Sequence, residues 1–140
     1  MTHLERTLKC FKDLNFIVSK VEHFNTFAGI RQDLFGFLDV LALHPAHGTI
    51  GVQVCGSDWS PHIRKMTDDR RESLLLWLAS GNRCILIGWR NLKKEGWTPR
   101  LREFTLADDF PEVTPEILIK LKAKNLSQKN LKNPLTEILG

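Results

Sequence analysis

A chain of 140 residues, 42% of them hydrophobic and 26% charged, has the balance of a single globular domain and no material for a second full core. No apolar run approaches the roughly 20 residues that cross a bilayer, and the opening stretch MTHLERTLKCFKDL carries charge in every turn, unlike a secretory leader. The net charge of +4 is unevenly spread: cations outnumber anions two to one over 61–103, against near balance over 1–60, which marks the later stretch as the candidate surface for a polyanion.

In chain order, HLERTLKCFKD (3–13) places Leu4, Leu8 and Phe11 on one stripe of an amphipathic helix. Asn15 breaks the pattern, and FIVSKVEHF (16–24), rich in β-branched and aromatic residues, reads as a strand. NTFAGIRQDL (25–34) reads as a loop around Gly29. FGFLDVLAL (35–43) and TIGVQVCG (49–56), joined by HPAHG, read as two strands of a hairpin, with His44 and His47 as turn residues. Ser60 and Pro61 suit a helix start, and Ile63, Met66, Leu74, Trp77 and Leu78 form its apolar stripe up to Ser80-Gly81-Asn82. CILIGW (84–89) is a strand covered on both faces, and 100–106 its partner. Residues 111–140 read as a helical extension or tail beyond a domain spanning 1–110. Cys10, Cys55 and Cys84 are an odd, scattered set without a CxxC pair, which argues against a disulfide framework or structural zinc and for a reducing, cytoplasmic setting. The expected fold class is α/β: a mixed four-stranded sheet flanked by helices, three strands in a meander and the fourth returned by a crossover helix, followed by a C-terminal strand.

The hairpin carries the chemistry. With its connection centred on Ala46, Leu43 faces Thr49, Leu41 faces Gly51 and Asp39 faces Gln53, on the same side of the sheet as Cys55. A carboxylate buried among Phe37, Leu38, Val40 and Leu41 costs several kcal/mol unless it is paired or holds a cation. An Asp and a Gln oxygen, with the Val54 carbonyl and waters, suit Mg²⁺ or Mn²⁺; hydrogen bonds from backbone amides or a neighbouring Lys or Arg are the structural alternative. Among the cations, the turn holding Arg90, Lys93 and Lys94 suits contact with phosphates. Trp77 reads as core, and packing is also the favoured role of Trp89 and Trp97.

An acid in the second strand, a polar-x-polar element in the third and a basic helix next, carried by FGFLDVLAL and IGVQVCG over residues 3–90, resemble the PD-(D/E)xK nuclease superfamily. That group includes Holliday junction resolvases, VRR-NUC domains and many restriction endonucleases; small phage-type proteins look similar. The resemblance implies an αβββαβ core and Asp39 as metal ligand. Gln53 stands where the family usually has Glu, and Cys55 where it has Lys. Lys65 from the following helix is the candidate replacement for that lysine, with Arg64 as its rival and nucleic-acid contact and His62 as a proton shuttle. The family's additional carboxylate from the first helix corresponds to Glu5, with Glu22 and Asp33 as rivals. The expected function is thus Mg²⁺- or Mn²⁺-dependent hydrolysis of DNA phosphodiesters, including branched junctions, with catalysis by Asp39, Gln53, Lys65 and Glu5 and metal held by Asp39, Gln53 and Val54. An inactive nuclease-fold module that binds DNA or assembles is the alternative, and a structural protein without a nucleic-acid role the third. No membrane partner is expected. The apolar residues Leu126, Leu131, Leu135, Ile138 and Leu139 are candidates for a homodimer contact.

Overall fold

The computed structural model describes residues 1–106 and 139. The chain enters as helix α1 (His3–Asp13), closed at its start by a reciprocal pair in which Glu5 N–H donates to Thr2 Oγ1 and Thr2 N–H to Glu5 Oε2. Such a capping box is worth about 1 kcal/mol to a helix of this length. Strands β1 (Ile17–Lys20), β2 (His23–Asn25), β3 (Ile30–Gln32), β4 (Val40–His44) and β5 (Gly48–Cys55) follow. Helix α2 (Trp59–Arg64), a π-helical stretch (Lys65–Asp69) and helix α3 (Arg71–Ala79) lead to β6 (Arg83–Leu92) and β7 (Gly96–Phe104).

Five strands form one mixed sheet in the order β1-β4-β5-β6-β7, and β2 and β3 form a separate antiparallel pair. Only β5 and β6 run parallel, because only they are joined by helices. The sheet separates two apolar clusters. On one face Phe11 and Phe16 pack with Val40, Ala42, Ile50, Val52, Ile85 and Ile87. On the other, Met66, Leu74 and Leu78 cover Leu38, Cys55, Leu86 and Phe104. The alternation along β5 therefore points Ile50 and Val52 to the first face and Gln53 and Cys55 towards α2 and α3. Trp89 is buried and its Nε1–H donates to Thr7 Oγ1, tying β6 to α1. Trp77 lies against Gly51 and donates to the Arg83 carbonyl.

The α/β class, the meander, the crossover and the added C-terminal strand match the sequence expectation, and so does the hairpin register Leu43 to Thr49 and Leu41 to Gly51. Several details differ, among them the last two strands, expected over 84–89 and 100–106 and found at Arg83–Leu92 and Gly96–Phe104. The segment 16–24 is two strands in different sheets, since Val21 N–H bonds the Asp39 carbonyl while the chain leaves the main sheet. The expected loop 25–34 contains β3, a return strand made possible by Gly29 at φ +68°. The strand expected over 35–43 begins only at Val40, because Leu34 and Leu38 close a tight turn over Phe35-Gly36-Phe37. The helix expected from Pro61 begins at Trp59 with Asp58 as its N-cap, and five residues of π-helix interrupt it. The expected tail, 111–140, lies outside the described residues except Leu139, which is buried in the apolar cluster that holds Phe11 and Phe16. Of the candidate dimer contacts, Leu139 is thus covered by its own chain. No helix of the described residues is long and apolar enough to cross a membrane.

Candidate metal and nucleic-acid site

Asp39 precedes β4 on the buried side of the sheet, with 5% of its surface exposed. Its Oδ2 accepts from Gln53 Nε2 at 2.5 Å and from the Val54 amide at 2.8 Å. The facing pair that the hairpin arithmetic demands is present, and Gln53 is itself 2% exposed. Gln53 Oε1 in turn accepts from Lys65 Nζ at 3.2 Å, and the same ammonium donates to Asp33 Oδ2 at 3.0 Å.

Asp33 reaches Asp39 through local sequence. DLFGFLD (33–39) reads identically in both directions about Gly36, which sits at φ +81°. The Leu34–Leu38 bridge closes that turn, and the two acids flank it one position further out on either side. Glu22 arrives from the link between β1 and β2, next to Val21, whose N–H bonds the Asp39 carbonyl. Glu22, Asp33 and Asp39 consequently present carboxylate oxygens within 4.8 Å of one another.

Burial, then the contact with the Asp33 carboxyl, hold the Asp39 carboxyl well above its usual range, up to about 8, against the opposing pull of the Val54 amide. Lys65 neutralises Asp33 and Arg31 pairs with Glu22 at 3.2 Å, whereas Asp39 meets only neutral donors among the described residues. Three hard oxygen donors with incomplete charge compensation fit a divalent cation of the Mg²⁺ or Mn²⁺ type. To join Asp39 on such a cation, the Gln53 amide has to turn over, because it now offers Asp39 its NH₂ group.

The other expected residues fall in distinct places. Glu5 is committed to the α1 capping box and is exposed, so the carboxylates beside Asp39 come from Glu22 and Asp33 instead. Val54 presents its N–H, not its carbonyl, to Asp39. Lys65 lies in the polar cluster, and Arg64, one residue earlier, is exposed. Cys55 is buried and its thiol is pushed up to about 11 by desolvation, so it supplies none of the positive charge of a strand lysine. His62 faces Asp58, with Nδ1 at 2.8 Å from the Asp58 carbonyl oxygen and 3.3 Å from Oδ2. His44 and His47 pack their rings against Phe16.

Arg90, Lys93 and Lys94 are exposed on the hairpin joining β6 and β7. Cys55 pairs with Gly88, so that hairpin extends past the C-terminal end of β5, the end at which Gln53 and Cys55 lie. Ligand sites of open α/β sheets sit at that end. Other cations of the basic stretch are used internally: Arg83 makes a double contact with Glu103 at 2.7 and 2.8 Å, and Arg100 lies 4.5 Å from the Trp59 ring. Asp33, a rival to Glu5 on the family resemblance, is set beside Asp39 by the mirror symmetry of DLFGFLD, a signal that alternation and helical periodicity do not register. No family model, curated protein or solved structure matches the chain.

Proposed function

We propose that the chain is a metal-dependent nuclease of the PD-(D/E)xK type acting on DNA. One observation carries the reading: a buried acid at the start of the second sheet strand meets a polar side chain of the third strand and a lysine from the following helix. Asp39, with Asp33 and Glu22, would hold Mg²⁺ or Mn²⁺, and Gln53 would add an oxygen once its amide turns. The ion, when bound, supplies an activated water and offsets charge on the phosphodiester. Lys65 takes the part of the strand lysine for which Cys55 is substituted: its ammonium, which gives up its 3.2 Å bond to Gln53 Oε1 when that amide turns, would orient the attacking water and meet the developing negative charge. Arg90, Lys93 and Lys94 would contact the phosphate backbone and contribute affinity without sequence preference. Branched junctions are the substrate class to examine first, on the resemblance to resolvases.

Cleavage of branched, single-stranded and duplex DNA with Mg²⁺ or Mn²⁺ tests the reading. Activity in the wild type that falls at least about a hundredfold in Asp39→Ala supports it, on the scale expected when a group stabilising transition-state charge is lost. Activity indifferent to that substitution rejects it.

A second reading has its own observation. Gln53 and Val54 already donate to Asp39, and Lys65 bridges Gln53 and Asp33, so the cluster holds together through its own hydrogen bonds. A nuclease fold that has lost catalysis and only binds DNA would look the same. Its binding would be salt-sensitive and metal-insensitive, and calorimetry would find Mn²⁺ held no better by the wild type than by Asp39→Ala.

A further inference from the structure

A second set of ligating atoms stands at the end of β5, separate from the carboxylates around Asp39. Cys55 Sγ, the Asp58 carboxylate and an imidazole nitrogen of His62 all lie within 4.8 Å of one another. We propose that Cys55, Asp58 and His62 form a binding site for a borderline-soft divalent metal of the Zn²⁺ class, with a fourth position open to water.

The geometry is close to what such an ion demands. Zn²⁺ bonds of about 2.0–2.3 Å to sulfur, nitrogen and oxygen place ligand atoms roughly 3.3–3.8 Å apart at tetrahedral angles. Side-chain rotations that bring these atoms together close the cluster onto an ion; His62 Nδ1 now faces the Asp58 carbonyl oxygen at 2.8 Å as the N–H donor, so the imidazole ligates through Nε2 or gives up that bond. The spacing C-x₂-D-x₃-H (55–62) resembles the short-range ligand spacing of zinc sites, with a carboxylate in place of the second thiolate. It escapes any search for paired cysteines.

Asp58 is also placed unlike an ordinary helix cap. It occupies the N-cap of α2, yet its side chain makes no capping hydrogen bond to the helix. Its Oδ1 accepts instead from the Gly56 amide at 3.2 Å, and its Oδ2 lies 3.3 Å from His62 Nδ1. One carboxylate oxygen is thus oriented by backbone and the other turned towards the imidazole, the arrangement in which an outer hydrogen bond fixes a ligating carboxylate. Cys55 is 5% exposed, and a Cβ on residue 88 would stand 2.6 Å from Trp59 Cε3 and 3.2 Å from Cys55 Sγ, so Gly88 leaves room for the Trp59 ring and, beside it, for the sulfur. The side chain of Asp58 is 59% exposed and that of His62 20% exposed, which gives an ion a path to the buried sulfur.

The chemistry separates this site from the first. Thiolate and imidazole select Zn²⁺ or Co²⁺, while the all-oxygen cluster at Asp39 suits Mg²⁺ or Mn²⁺. Binding expels the thiol proton to solvent as the Cys55 sulfur becomes a thiolate ligand. The ion would staple the end of β5 to α2, and through α2 it would set the position of Lys65.

The test is Co²⁺ titration of the full chain under non-thiol reducing conditions, read by absorbance. Wild type and Asp39→Asn should both develop a thiolate-to-cobalt charge-transfer band in the near ultraviolet, and Zn²⁺ should bleach it by displacement. Cys55→Ser should abolish the band, and His62→Ala should weaken Co²⁺ binding by at least about tenfold, the lower end of the losses seen even for outer-shell partners. His62 is partly exposed, so that variant tests the site should Cys55→Ser fail to fold. No charge-transfer band in the wild type, a band that survives Cys55→Ser, or binding unchanged in His62→Ala overturns the proposal. Loss of the band in Asp39→Asn would also overturn it, by placing the metal at the other site.

Discussion

Asp39 shows how one buried residue couples folding to pH and to cations. In an unfolded chain an Asp carboxyl ionises near ~3.9; in the folded protein it keeps its proton up to about 8. Between those values the folded state binds a proton that the unfolded state has released. Stability from this residue is therefore fully present below about pH 4 and is lost as the pH rises towards about 8. Asp39→Asn should flatten that dependence, gaining on the wild type by an amount on the order of a few kcal/mol between about pH 5 and about pH 8, as read by urea unfolding. Saturating Mn²⁺ should stabilise the wild type most at the alkaline end, where no proton competes for the carboxylate, and leave the variant nearly unchanged. A wild type whose stability rises across this window would contradict the protonated Asp39.

Elements meet closely where the site is built. Helix α3 and the turn before β4 approach β5 at Gly51, where a Cβ would stand 2.6 Å from Leu38 Cδ2 and 2.8 Å from Trp77 Cζ2. Gly51→Ala should cost about 1–3 kcal/mol through overpacking, measured by thermal or urea unfolding. It should also disturb the site, because Gln53 is two residues along the same strand and Leu38 immediately precedes Asp39. The π-helical stretch acts at the same scale. The Arg70 amide bonds the Lys65 carbonyl, five residues back, inserting one extra residue into the turn. That lets Met66, Leu74 and Leu78 all reach the core while Lys65 turns to Gln53 and Asp33. A regular helix through 59–79 would advance every residue after the insertion by about 100°, and could not keep both sets in place.

Across the whole molecule, charge is divided between internal and external work. Arg83 is spent on Glu103 and Arg100 on the Trp59 ring, so the basic excess visible in the sequence overstates the surface available to a polyanion. The exposed Arg64 and Arg70 of the helical segment remain, as does the exposed hairpin bearing Arg90, Lys93 and Lys94. If the chain binds DNA there, Lys93→Ala and Lys94→Ala should each weaken binding similarly on all sequences. Each should also reduce the slope of log affinity against log salt by about 1, by fluorescence anisotropy. An unchanged slope would move the interface elsewhere.

The linear pattern of residues determined the α/β class, the meander, the crossover and the added C-terminal strand, the register of the 40–55 hairpin and the meeting of Asp39 with Gln53. All of these follow from local periodicity and from the short connections between neighbouring strands. What tertiary structure decided is which of the candidate charges join that pair: Glu22 from the link between β1 and β2 and Lys65 from the π-helical stretch come in beside the locally placed Asp33, while Glu5 closes its own helix. The reason is physical. A hairpin partner is set by counting residues, but the approach of a side chain from another layer depends on where a helix is interrupted and how a strand leaves the sheet, and those are settled by packing both apolar faces at once.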